Sequence, residues 1–196
     1  MRTRLFGRMA LVAMVLPVGI AWTAARAGLP LQPESKLWLE GTSTVRSFTC
    51  RAARVDGSVT TQAGSSSLAL ADVESTVKGA EVSVAVAGLE CGNGTMNGHL
   101  RKALKSDTSP RITYRITSYD LAADGKVKLN GTLNIAGTEK PVSIDATASN
   151  EAGKLRVKGS KQLKMTDFGV RPPTLMMGTM KVHDPVKVSF DVLLKA

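Results

Sequence analysis

Aromatic residues are scarce in this chain of 196 residues: phenylalanine, tryptophan and tyrosine together make up 4% of it. A core must therefore be filled by Val, Leu, Ile, Ala and Met, and large stacking surfaces are few. Histidine occurs only at His99 and His183, and cysteine only at Cys50 and Cys91. The clustered Cys and His spacings of zinc sites are absent, as are an H-E-x-x-H pair and a G-x-S-x-G elbow. A hydrolytic or lipid-modifying site would have to be assembled in space around one of the two histidines. What the chain has in quantity is ordinary: 43% hydrophobic and 21% charged residues, with no segment biased enough to be disordered or fibrous. That composition specifies a single globular domain with a true core.

Long apolar runs are confined to one place. Arg2, Arg4 and Arg8 precede a run from Met9 to Ala25 that closes on Ala25-Arg26-Ala27. The run is short for a membrane span, is broken by Pro17 and Gly19, and ends in a small-x-small pattern. Residues 1–27 therefore read as a cleavable signal peptide and 28–196 as the mature domain, with an uncleaved N-terminal anchor as the alternative. There is no twin arginine, and no cysteine follows the cleavage point to accept a lipid. The expected location is the periplasm, which argues against a nucleic-acid partner. Loss of the leader, with four arginines and no acid, lowers the formal charge from +10 to +6. The remaining cations alternate with apolar residues, as in Lys126, Lys128 and Arg156, Lys158, the pattern of a wetted strand face. An anionic membrane surface or an acidic envelope protein is the other use for such a face. In an oxidising compartment the even cysteine count favours a Cys50–Cys91 disulfide over a free thiol. No C-x-x-C and no adjacent His or Asp would activate either sulfur.

From Lys36 onward the pattern is alternation. Val82, Val84 and Val86 share one phase; so do Ile112, Tyr114 and Ile116; Val127, Leu129, Gly131, Leu133 and Ile135; Val142, Ile144, Ala146 and Ala148; Leu155, Val157 and Gly159; and Val186, Val188, Phe190 and Val192. Period two buries one face of a strand and wets the other. Further strands are expected at Leu37–Thr42, Ser47–Val55 and Ser66–Leu70, with turns at Asp56-Gly57, Asp124-Gly125, Gly137–Pro141 and Glu151–Gly153. One helix is expected over Met96–Leu104, where Met96, Leu100 and Leu104 recur every fourth residue. The fold class is all-β: an antiparallel up-and-down, lipocalin-like barrel of about eight strands with one short helix, closed because a meander must remove its edges. Such a barrel either packs its interior solid or holds one ligand, and the pattern alone leaves both open.

Two loops stand out. Gly92-Asn93-Gly94 with Gly98 has the wrong spacing for a phosphate loop and reads as backbone that permits positive φ before the helix. Met176, Met177 and Met180 follow Pro172-Pro173 and form a soft apolar surface, suited to a lid at a barrel mouth or to a plug folded into its end.

The order of landmarks resembles the YceI-like family of exported lipocalin-like domains. The resemblance is carried by Leu37-Trp38 with Ser43–Phe48, His99-Leu100-Arg101, Pro110–Tyr114, Gly131–Gly137 with Pro141-Val142, Thr166–Val170, and Asp184-Pro185-Val186. It departs at Gly98, where the family commonly has an acid, and at Ala103 and Leu104, where aromatics often stand. The resemblance implies an extended barrel around a long apolar tunnel for a polyisoprenoid, quinone-type or fatty-acyl chain, bound non-covalently with no cofactor, metal or catalytic residue. Candidate wall residues are Ile112, Tyr114, Ile116, Leu129, Leu133, Ile144, Val157, Val188 and Phe190. Phe168, Met176, Met177 and Met180 are candidates for the entrance, and His99 and Arg101 for contacts to a polar head. The rival reading is an envelope stress or interaction module with a packed barrel and a basic partner-binding face; on either reading the chain is expected to be a monomer or a homodimer.

Overall fold

The computed structural model describes residues 28–62, 68–175 and 179–195. The expected signal peptide, Ser66-Ser67 of one expected strand, and Met176-Met177 lie outside the described residues. The strands are β1 (Leu29–Pro30), β2 (Lys36–Ser43), β3 (Ser47–Ala52), β4 (Asp56–Thr61), β5 (Val77–Ala85), β6 (Leu89–Glu90), β7 (Arg111–Leu121), β8 (Lys126–Ile135), β9 (Thr138–Glu151), β10 (Lys154–Lys164), β11 (Thr174–Leu175) and β12 (Met180–Lys195). Two helices, α1 (Val73–Thr76) and α2 (Gly94–Ala103), complete the described elements, with three short 3-10 turns. One antiparallel path runs β1-β4-β5-β7-β8-β9-β10-β12-β2-β3-β6, and β11 hangs on β12.

That path is the expected meander. Residues 53–55 carry β3 directly into β4, and a 3-10 turn at Val86–Gly88 carries β5 into β6. The two bent passes face each other, with Asp56 opposite Ser83 in one half and Ala52 opposite Leu89 in the other. Counted as passes, the wall is β2, β3–β4, β5–β6, β7, β8, β9, β10 and β12, and β12 pairs back onto β2. The number of strand segments exceeds the expected count because these bends interrupt the ladder. Left-handed pairs make the hairpin turns: Ala136 and Gly137 have φ of 52° and 83°, Ala152 and Gly153 of 49° and 72°. This is the backbone twist that suits tight hairpins.

Two expectations are corrected. Asp56-Gly57 is no turn but the start of β4, and Gly57 is small because a Cβ there would lie 2.6 Å from the Glu81 carbonyl oxygen. Ser66–Leu70 does not form a strand: Leu68 and Ala69 are irregular, Leu70–Asp72 is a 3-10 turn, and α1 follows, a helix the sequence pattern did not announce. Burial explains it. Leu68 is fully buried against Val59, Leu155 and Leu194, so the chain crosses the barrel end there instead of running along its wall.

The ladder between β9 and β10 is incomplete. β10 pairs with β12 along all of Lys154–Lys164, but with β9 only over Lys154–Gly159, ending where Gly159 meets Ala146. Beyond that point Thr138–Asp145 and Ser160–Lys164 are not paired with each other. Pro141, which has no N–H to donate, stands where β9 is paired with β8 alone, and such an edge tolerates it. The gap is bounded by side chains: Val142 and Leu163 pack on the same core cluster as Phe168 and Val170.

Candidate functional site

The inward faces of these strands enclose a cavity of about 740 Å³, well within the range of small-molecule sites. It is long. β12 lines it from Val182 to Leu194, about 40 Å of strand at 3.3 Å per residue and about 30 Å along the axis at barrel tilt. Two of the four phenylalanines lie across the wall on glycines: Phe48 opposite Gly41, Phe190 opposite Gly159. A Cβ at Gly159 would sit 2.6 Å from the Phe190 ring, so the missing side chain lets the ring lie flat and leaves the lumen open.

One end is shut by Val59, Leu68, Leu155 and Leu194. Tyr119 pins α1 there, its hydroxyl donating to the Val73 carbonyl at 2.9 Å. The other end carries the polar lining: Ser43 and Arg46 of the β2–β3 hairpin, Lys161 and Lys164 late in β10, and Asn93, Thr95 and His99 at α2. Helix α2 starts at Asn93, whose side-chain oxygen accepts from the Thr95 and Met96 amides, and turns Met96, Leu100 and Ala103 toward the cavity.

The sequence-chosen positions separate clearly. Ile112, Tyr114, Ile116, Leu129, Leu133, Ile144, Val157, Val188 and Phe190 line the cavity, as do Phe168, Met180 and His99. Met176 and Met177 lie outside the described residues. Arg101 is elsewhere: its guanidinium donates to the Ala87 carbonyl at 2.8 Å and pairs with Glu90 at 3.2 Å. Glu90 also accepts from Asn97, whose own oxygen takes the Cys91 amide at 2.7 Å. Arg101 and Asn97 are thus a clamp of α2 onto β6, not part of the cavity wall. His183 faces outward and bonds Thr42 through Nδ1 at 2.9 Å. The Tyr114 hydroxyl donates to backbone, 2.9 Å from the Val142 oxygen and 3.0 Å from that of Leu129, so the residue offers the lumen its ring. Burial pushes its phenol up to about 12.

Sequence reasoning missed Arg46, Lys161 and Lys164. For Lys161 the signal was present in phase: Leu155, Val157 and Gly159 define the inward face of β10, and the next inward position is 161. Cys50 and Cys91 are joined in a disulfide, and both line the cavity. They continue one inward row, Lys161–Val188–Leu39–Cys50, across four neighbouring strands. Among the described residues no group of three or more His, Cys, Asp or Glu is placed to hold a metal.

Solved structures share this architecture. The chain is similar to BcnA of Burkholderia cenocepacia at 17% identity and a TM-score of 0.66, over 81% of this chain and 95% of that one. It is similar to a polyisoprenoid binding domain from Saccharophagus degradans, implicated in plant cell wall breakdown, at 15% identity and 0.64, over 86% and 98%. The YCEI protein of Campylobacter jejuni matches at 20% identity and 0.59, over 75% and 84%. At these identities the likeness establishes the fold. No curated protein matches the chain by sequence. The YceI-like domain model matches residues 36–194. That span reaches from the first residue of β2 to the last but one of β12, and the chain belongs to the YceI-like family.

Proposed function

We propose that this protein is a non-catalytic carrier that is exported to the periplasm, loses residues 1–27, and holds an isoprenoid or fatty-acyl chain in its barrel. The observation that carries the reading is the long cavity, walled mostly by apolar side chains and shut at one end. The polyisoprenoid-binding relative of the same fold supports it. The mechanism is burial: each methylene moved from water onto such a wall contributes about 0.8 kcal/mol. A long chain therefore binds firmly even after the loss of its own freedom and of rigid-body motion is subtracted. The cavity also favours this reading over a packed-barrel interaction module, which has no use for an open lumen.

The test is native purification from the exported fraction, organic extraction and mass spectrometry of what is retained. The expected result is a near-stoichiometric isoprenoid or acyl lipid together with a mature chain starting at Gly28. A protein that retains no lipid and takes up none when isoprenoid and acyl chains are added would overturn the carrier reading.

A further inference from the structure

The cavity wall holds cations and no acid among its described lining residues. Arg46, Lys161 and Lys164 line it, and among the described residues no aspartate or glutamate does. The three differ in setting. Arg46 is exposed on the β2–β3 hairpin, and Lys164 is exposed and lies in the field of the Asp184 carboxylate. Lys161 is half-buried on the inward face of β10, between Gly159 and Leu163, with Val188 opposite it on β12. No hydrogen bond or ion pair to a described residue engages its ammonium. An unpaired charge on an apolar wall is unfavourable, and an aliphatic residue in phase with Val157 would fit the wall better unless an anion arrives there.

Its height along the barrel is equally telling. Lys161 stands two residues past Gly159, where the β9–β10 ladder stops. At that level Val142 and Ile144 line the lumen from β9 and Leu163 from β10, with no strand pairing between them. An apolar chain lying in the lumen can therefore bring its polar end to the wall here while the rest stays covered.

We propose that the ligand is an amphiphile with an anionic head, a carboxylate or phosphate on a long apolar chain, and that Lys161 pairs with that head where the β9–β10 ladder has ended. This rests on the apolar-chain reading above and adds the charge of the head and the place where it sits. An ammonium–oxyanion hydrogen bond is of the strong, short kind. Arg46 adds field of the same sign at the same end of the cavity, while that of Lys164 is offset by the Asp184 carboxylate beside it.

The test titrates delipidated protein with palmitate, hexadecyl phosphate and hexadecanol, which share one chain and differ in head charge. The anions are expected to bind about tenfold more tightly than the alcohol, the margin of one charge-assisted hydrogen bond. Lys161→Met keeps the length of the stem and should remove the margin between the anions and the alcohol, read as the ratio of their affinities within the same variant. Lys161→Gln should do the same, and Lys161→Arg should keep the preference. A Lys161-dependent preference for only one anion supports the proposal and identifies the head. Equal binding of all three probes, or a preference that survives in folded Lys161→Met and Lys161→Gln, overturns the head-group proposal and leaves the apolar-chain reading standing. Binding of none overturns both.

Discussion

The two halves of β10 share one alternation and meet opposite surroundings. From Lys154 to Gly159 the strand is paired on both sides, and the middle one of its three outward cations, Arg156, is held by Asp191 at 2.5 Å and Glu151 at 2.6 Å on the two flanking strands. From Ser160 to Lys164 it is paired with β12 alone, and its inward cation, Lys161, meets no carboxylate. The lower half is scaffold, cross-braced by hydrogen bonds and charge. The upper half is an edge inside a barrel, kept from pairing further by the divergence of β9 and bounded by Phe168 and Val170. The difference teaches that a cation's role on a strand is set by which face it takes and how far the ladder beside it extends, not by the residue type.

The strongest challenge to this contrast is removal of the disulfide, which anchors the inward row at the height of Lys161 on the far side of the lumen. For a bond closing 41 residues the chain-entropy relation gives about 4 kcal/mol. Urea unfolding of the Cys50→Ser/Cys91→Ser protein should show a loss of that order, and native-state exchange should show it loosening the upper rows before the lower ones. Hydrogen exchange on the intact protein gives the next largest effect. Amides of Ser160–Lys164 that point toward β9 are expected to exchange at least tenfold faster than those of Lys154–Gly159, because local opening there breaks no β9 ladder. Equal protection would erase the distinction between the halves. The smallest effect comes from the brace. Hydrogen bonding to Arg156 holds the Asp191 carboxyl below its usual range. That contribution is therefore present above the ordinary carboxylate value near about 4 and is lost as pH falls through the lower folded value. Arg156→Met should be less stable than the parent at neutral pH, with the two stability curves converging in acid.

Much of this wall was legible in the residues. Val186, Val188, Phe190 and Val192 fix the inward face of β12 because a strand cannot bury both phases in a half-wet wall, and Leu155, Val157 and Gly159 do the same for β10. The hairpin at Ala152-Gly153 was legible because its left-handed backbone favours glycine. Gly57 misled, since a glycine needed for close approach of Leu31 and Glu81 has the same letter as one needed for a turn. Leu68 misled because an apolar residue that plugs a barrel end carries no period. Arg101 was assigned to the cavity from its neighbours His99 and Leu100, whereas its partner Glu90 is set by how β6 packs beside α2. Lys161 was passed over because lysines on strands are usually wet. The inward phase of Leu155, Val157 and Gly159, continued by one position, falls on it. The incomplete β9–β10 ladder had no sequence signal beyond Pro141, because where two strands part is decided by the twist of the whole sheet.

The pairing of β2 with β12 has a consequence in time. Lys36 meets Asp191, so the wall is completed by residues from opposite ends of the domain. A chain made from its N-terminus onward can zip its hairpins in turn, but β2 and β10 both keep a free edge until Met180–Lys195 exists. Contacts of such long range close late, since their entropy cost falls due before they stabilise anything. Until then the apolar concave face is an open trough and not a tunnel. Closure of the tunnel is thus the task of the last strand to be made, and the apolar face it covers stays accessible along its whole length until then.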